Sequence, residues 1–243
     1  MDGDPHRAET LLALRRICRG TVKPFVAHSD ERPRLSTGVL ALDALLPDRG
    51  LEPGWLVEWL SVGEGCGATV LALQGVRPAL VRQTVWAVVD GAGEFHPPAA
   101  RGWGLSMERL LWLRPTTVAD TAWTIEQCLR CPGVGVTWFQ AERPADRVLQ
   151  RWKIAAETGG GIGVLFRPAA VARNASWADV RWLVQPRPTL TNDARRVRVE
   201  LLSCRGGCRL GDSVELEVCD ATGDVRLVSS VAGAASAVRA AGA

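Results

Sequence analysis

The sequence predicts an α/β protein: a central, mostly parallel sheet flanked by helices, with antiparallel strands at its C-terminal end. Three observations carry this. Between residues 55 and 166, short apolar runs alternate with amphipathic segments across short connections, the pattern of β-α-β units. The runs are continuous, as strands buried on both faces are. After Trp177 the period changes to two, polar then apolar, which marks half-buried antiparallel strands.

In chain order, residues 7–19 place Leu11, Leu12, Leu14 and Ile17 beside Arg15, Arg16 and Arg19, an amphipathic helix ended by Gly20. Residues 21–34 carry Pro24 and Pro33 and read as a linker. A short helix over 35–46 has Ser36 or Thr37 as its candidate cap. Strands are expected at 55–60, 84–90, 110–113, 134–139 and 162–166, the last stopped by Pro168. Between them lie helical patterns at 70–76, 97–103, 117–129 and 143–158, and Thr117 with Asp120 suits a capping box variant. The next strand, 178–184, is expected to break at Pro186 and Pro188. Residues 196–201, 213–218 and 225–228 form the antiparallel set. This divides the chain into an N-terminal helix and linker (1–34), a main domain (35–228) and a small, Ala-rich, disordered tail (229–243).

Composition sets bounds. The 243 residues suit one large domain with small terminal additions, and 47% hydrophobic content supplies a core. A net charge of +3 is too small to argue nucleic-acid binding by itself. Lys23 and Lys153 are the only lysines, so the positive charge is nearly all arginine. Ten tryptophans stand beside no tyrosine, for which the sequence offers no reason. No stretch approaches the ~20 continuous apolar residues of a membrane span. The start, Met1-Asp2-Gly3-Asp4-Pro5-His6, is unlike a secretory signal. A cytoplasmic location is therefore expected, with the seven cysteines mostly reduced.

The chain is organised around Ser61-Val62-Gly63-Glu64-Gly65-Cys66-Gly67-Ala68-Thr69, between a strand and a helix. Glycines there let backbone N–H groups and a helix start point at an anion. A working phosphate loop reads G-x-x-x-x-G-K-[ST]. Aligned on Gly67, this copy keeps the second glycine and the hydroxyl, but has Val62 and Ala68 in place of the first glycine and the lysine. Gly63, Gly65, Gly67 and Thr69 are the candidate contacts of a vestigial phosphate loop; the same glycines also suit a plain tight turn. No catalytic residue, metal ligand or nucleotide cofactor is assigned.

Cys128 with Cys131 and Cys204 with Cys208 form two close pairs, yet nothing in the sequence brings them together as a zinc site, and unrelated thiols are the favoured reading. His6, His28 and His96 lack metal-ligand spacing. Arg187, Arg195, Arg196, Arg198, Arg205 and Arg209, against Asp193 and Glu200, make the best candidate DNA or partner surface; an exposed hairpin face is the plainer alternative.

LSTGVLALDALL before the glycine loop, then WAVVDGAGEFHPPAARGWGLSMERLLWLRP, resembles the RecA-like core. RVLQRWKIAAETGGGIGVLFRP, followed by RRVRVELLSCRGG, most resembles the ImuA-type proteins, RecA relatives of damage-induced mutagenic synthesis. The resemblance spans about residues 35–228. It implies a catalytic lysine position at Ala68 and a water-activating acid position at Gly91-Ala92, with Glu94 two residues further on. The metal-orienting aspartate position falls at Gln140. Phosphoryl transfer needs cation, metal and water placed together, so these departures imply that hydrolysis is lost. The implied partners are a Y-family polymerase homologue and an associated replicative-type polymerase, with single-stranded DNA as a further candidate, contacted through residues 11–17 and the C-terminal hairpins. Three rival readings stay open: an aberrant ATPase using Glu94 and Thr69 with an arginine such as Arg167 in place of the lysine, a damage-induced inhibitor of cell division, and a structural relic with no partner.

Overall fold

The computed structural model describes residues 5–19, 34–63, 65–80, 84–189, 193–207 and 211–231. Helix α1 (Pro5–Arg19) and the short α2 (Leu40–Asp43) precede the repeating part. That part runs β1 (Leu56–Ser61), α3 (Ala68–Gln74), α4 (Val76–Leu80), β2 (Val85–Val89), α5 (Pro97–Gly102) and β3 (Leu110–Leu113). It continues as α6 (Val118–Arg130), β4 (Val134–Gln140), α7 (Asp146–Gly159), β5 (Ile162–Pro168) and β6 (Val180–Arg187). Three strands follow: β7 (Ala194–Cys204), β8 (Ser213–Cys219) and β9 (Val225–Val231).

These strands make one sheet in the order β3-β2-β4-β5-β1-β6-β7-β8-β9. Pairings from β3 to β6 are parallel, and those from β6 to β9 antiparallel. The fold is α/β, mostly parallel with an antiparallel C-terminal end, as the sequence predicts. Alternate residues feed two cores. Val57, Trp59, Trp86 and Trp182 face one shared with α3, α5, β7 and β8; Leu56, Val89 and Phe139 face another shared with α6 and α7.

The tryptophans find a use the composition did not reveal. Trp59 and Trp182 meet at 6.1 Å between ring centroids. Phe95 sits 5.8 Å from Trp86 and 5.9 Å from both Trp112 and Trp138. Large flat rings here wedge the sheet against its helices in tilted and edge-on pairs.

Helix α1 lies on the main body. Leu14 is buried in the second core, Arg7 Nε donates to Asp120 Oδ1 at 2.8 Å, and Ile17 lies against Gly133. The expected linker at 21–34 falls outside the described residues apart from Arg34, and the expected tail does so beyond Val231. Strand β9 itself runs three residues into that tail.

Two local expectations change. Helix α2 begins after Val39, so Ser36 and Thr37 do not cap it. Both instead bond the buried Asp43 carboxylate: Ser36 Oγ at 2.5 Å, Thr37 Oγ1 and Thr37 N each at 2.7 Å. Nor does Pro186 break β6, where it pairs with Val197 of β7. The last β1 partner of β6 is Val184, opposite Ser61, so Pro186 lies where that side of the strand has no neighbour needing its N–H.

Candidate functional site

Strand β1 delivers the chain to the glycine loop, and α3 carries it away. Gly65 and Gly67 have φ of +67° and +86°, a region that favours glycine. Gly63 has no such conformation, and a methyl group there would meet nothing within 4 Å. Only two of the three glycines are thus required by the turn. Ala68 opens α3 and is buried, whereas Val62 and Thr69 face outward. Glu64 is outside the described residues.

Arg195, from the start of β7, lies against this loop. Its Nη1 donates to the Gly65 carbonyl at 2.5 Å, and its Nε donates to Asp220 Oδ1 at 2.5 Å. Its stem would stand 3.1 Å from a methyl group added to Gly67. A cation is therefore present beside a loop without a lysine, but it comes from a distant strand and bonds a carbonyl oxygen.

At the carboxyl ends of neighbouring β2 and β4, the chain leaves for opposite faces: Ala100 of α5 enters the first core and Leu149 of α7 the second. Such a switch point opens a crevice. Here it is a cavity of about 580 Å³, floored by Val89, Ile125 and Trp152, with Thr117, Thr121 and Gln140 among its polar lining. Gln140 is exposed at the end of β4. Asp90 accepts from Trp112 Nε1 at 3.1 Å and from Glu94 N at 2.9 Å. Glu94 and the intervening Gly91-Ala92 are exposed. The Glu94 N–H closes the turn after β2.

Arg167 is committed elsewhere. It donates to Glu58 Oε1 at 2.7 Å and to the Glu142 carbonyl at 3.1 Å. Arg181 Nε donates to the other Glu58 oxygen, and its Nη atoms reach the carbonyls of Val171, Ala172 and Asn174. Glu58 is fully buried and both arginines nearly so. This triad, which ties β5 and β6 to β1, was signalled only by an acid inside an apolar run.

The arginine surface carries its own counter-charges. Arg196 lies 3.5 Å from Glu217, Arg187 3.6 Å from Glu215 and Arg198 3.7 Å from Glu200. Three arginines and three glutamates thus share one open face of β6, β7 and β8. Arg205 pairs with Glu157 at 3.0 Å and Asp179 at 3.3 Å, at the opposite end of the sheet from the loop. Lys153 joins that group, 2.5 Å from Asp179 and 3.0 Å from Glu157. Partial burial would raise the Glu157 pKa, but hydrogen bonds from Lys153 and Arg205 outweigh it and lower it. Arg209 is outside the described residues.

Among the described residues no group of three or more potential ligands could hold a metal ion. Cys128 and Cys131 are buried, Cys204 is partly exposed, and Cys208 is outside the described residues. Burial, then the neighbouring Cys131, pushes the Cys128 thiol well above its ordinary range. Cys219 is lowered instead, first by the Thr222 hydroxyl and then by backbone N–H groups. No described helix is long and apolar enough to cross a membrane.

This sheet order and loop frame a comparison with known proteins. Over 83 residues the chain is 37% identical to Protein RecA of Rhizobium rhizogenes, a match covering 34% of this chain and 23% of that protein. Protein RecA of Allorhizobium ampelinum matches to the same extent. The chain thus spans about a quarter of the length of the curated relatives it matches. No family model matches. The fold and this partial likeness define a class, α/β proteins with a distant RecA-like relationship.

Proposed function

We propose that this chain is a non-catalytic RecA-like accessory protein of the ImuA type. It works in DNA-damage tolerance, in the cytoplasm, by binding a Y-family polymerase homologue and its associated replicative-type polymerase. The observation that carries the non-catalytic part is the loop: Ala68 stands at the lysine position, and the Arg195 guanidinium beside it bonds a loop carbonyl and Asp220. Gln140 at the end of β4 and the exposed Gly91-Ala92 support it, because neither offers a carboxylate to a metal or a water. Arg167, the rival source of positive charge, is held by buried Glu58. Neither a nucleotide nor a metal belongs to this reading.

The partner is argued from the resemblance over residues 35–228 and from RecA names among the relatives. Single-stranded DNA is the weaker candidate, since the arginines of the open face already sit beside glutamates. The test is a pull-down of the tagged full chain from DNA-damaged cells. Recovery of a Y-family polymerase homologue, lost on mutating the binding surface, is expected; recovery of the tubulin-like division protein instead would move the chain to the inhibitor class.

A further inference from the structure

We infer that Arg195 and the β8–β9 turn form a latch that holds the Gly65 to Gly67 part of the glycine loop against the start of β7. Three sets of contacts converge there. Arg195 bridges the Gly65 carbonyl and the Asp220 carboxylate, both at 2.5 Å. Gln74, at the end of α3, donates to the Gly223 carbonyl at 2.8 Å. Trp103, just after α5, donates to the Asp220 carbonyl at 3.3 Å and packs against Gly223.

The geometry explains why the latch fits. Gly67 has no side chain, so the Arg195 stem and Val197 can pass close to the loop at this point. A guanidinium offers several donors in a fixed fork, so one side chain can hold a carbonyl and a carboxylate together. The β8–β9 turn is itself fixed, because Gly223 N donates to the Cys219 carbonyl at 2.8 Å and Cys219 N to that of Asp224 at 2.9 Å. Arg195 therefore acts as a positioning residue for the loop. The antiparallel extension and the loop form one mechanical unit, and an event that displaces the β8–β9 turn releases the loop.

Cys66, buried within the loop, reports on its opening, and Cys128, buried in α6, reports on global unfolding. The experiment labels the full chain with a maleimide and follows each cysteine by peptide mass spectrometry. Arg195→Ala is expected to speed Cys66 labelling roughly tenfold, the scale of one lost charge-assisted hydrogen bond, while Cys128 stays slow. Asp220→Asn, which keeps the side-chain size, should fall between wild type and Arg195→Ala; Arg195→Lys should rescue only part of the protection. Unchanged Cys66 labelling in Arg195→Ala, or Cys66 and Cys128 accelerating together, overturns the latch. Tight binding of Mg-ATP by the wild type would instead sink the non-catalytic reading and leave these labelling ratios as they are.

Discussion

Glu58 shows how much one residue can hold. Its carboxylate lies between two nearly buried arginines, and all three residues lie on parallel strands at the middle of the sheet. Burying charge is costly unless it is paired, and removing one partner leaves the others exposed to that cost. The Arg181 guanidinium also satisfies carbonyls at Val171, Ala172 and Asn174, so the triad fixes the β5–β6 connection as well as the strands. Glu58→Ala strands two guanidinium groups in the interior and is expected to destabilise by about 3–5 kcal/mol. Glu58→Gln keeps the volume and one acceptor and should cost less. Urea unfolding midpoints, compared at equal slope, measure both; a loss under about 1 kcal/mol for Glu58→Ala would mean the site relaxes or admits water.

Among the elements, α6 shows how a local signal becomes a tertiary one. Thr117 accepts from Asp120 N at 3.1 Å and donates to Asp120 Oδ2 at 2.7 Å, while Asp120 Oδ1 takes Arg7 from α1. The capping hydroxyl and the docking of α1 therefore meet on one carboxylate. Thr117→Ala should cost about 1 kcal/mol, as N-cap losses do. Asp120→Ala leaves that backbone cap bond in place but removes the acceptor of both the Thr117 hydroxyl and Arg7, so amide exchange across residues 5–19 should quicken in it and not in Thr117→Ala; equal exchange in the two variants would separate α1 docking from this carboxylate. The cap was legible because its partners lie three residues apart. The β2, β4 and β5 strands were legible for a similar reason: their apolar runs are unbroken. What stayed hidden were contacts far apart in sequence. Arg195 meets Gly65 across 130 residues, and Glu58 meets Arg167 and Arg181 across 109 and 123. Six arginines could be counted from the sequence, but not which carboxylate each would face. Ser36 and Thr37 misled because hydroxyls near a helix start can bond a side chain as readily as a backbone N–H.

At the scale of the molecule, β2 leads to α5 on one face while its neighbours β3 and β4 lead to α6 and α7 on the other, around the 580 Å³ cavity, and β1 delivers the glycine loop at the carboxyl end of the same parallel sheet. Ligands of open α/β sheets collect at such positions. The question is whether shape alone retains a triphosphate. A ligand present at about a hundred times its Kd stabilises the folded state by ~2.7 kcal/mol. For a chain of this size that is a rise of roughly 5–10 °C in Tm. With Ala68 unable to supply a cation and Arg195 held by Asp220, the Kd for Mg-ATP should lie well above 10 µM-scale binding, at about the millimolar level where the same relation yields only a few tenths of a kcal/mol. Adding ~1 mM Mg-ATP should then leave Tm within about 1 °C of its ligand-free value. A rise of several degrees that requires magnesium and disappears in Thr69→Ala would restore the nucleotide site and with it the ATPase reading. A rise without magnesium dependence that survives Thr69→Ala would point to a site other than the loop, such as the crevice between β2 and β4.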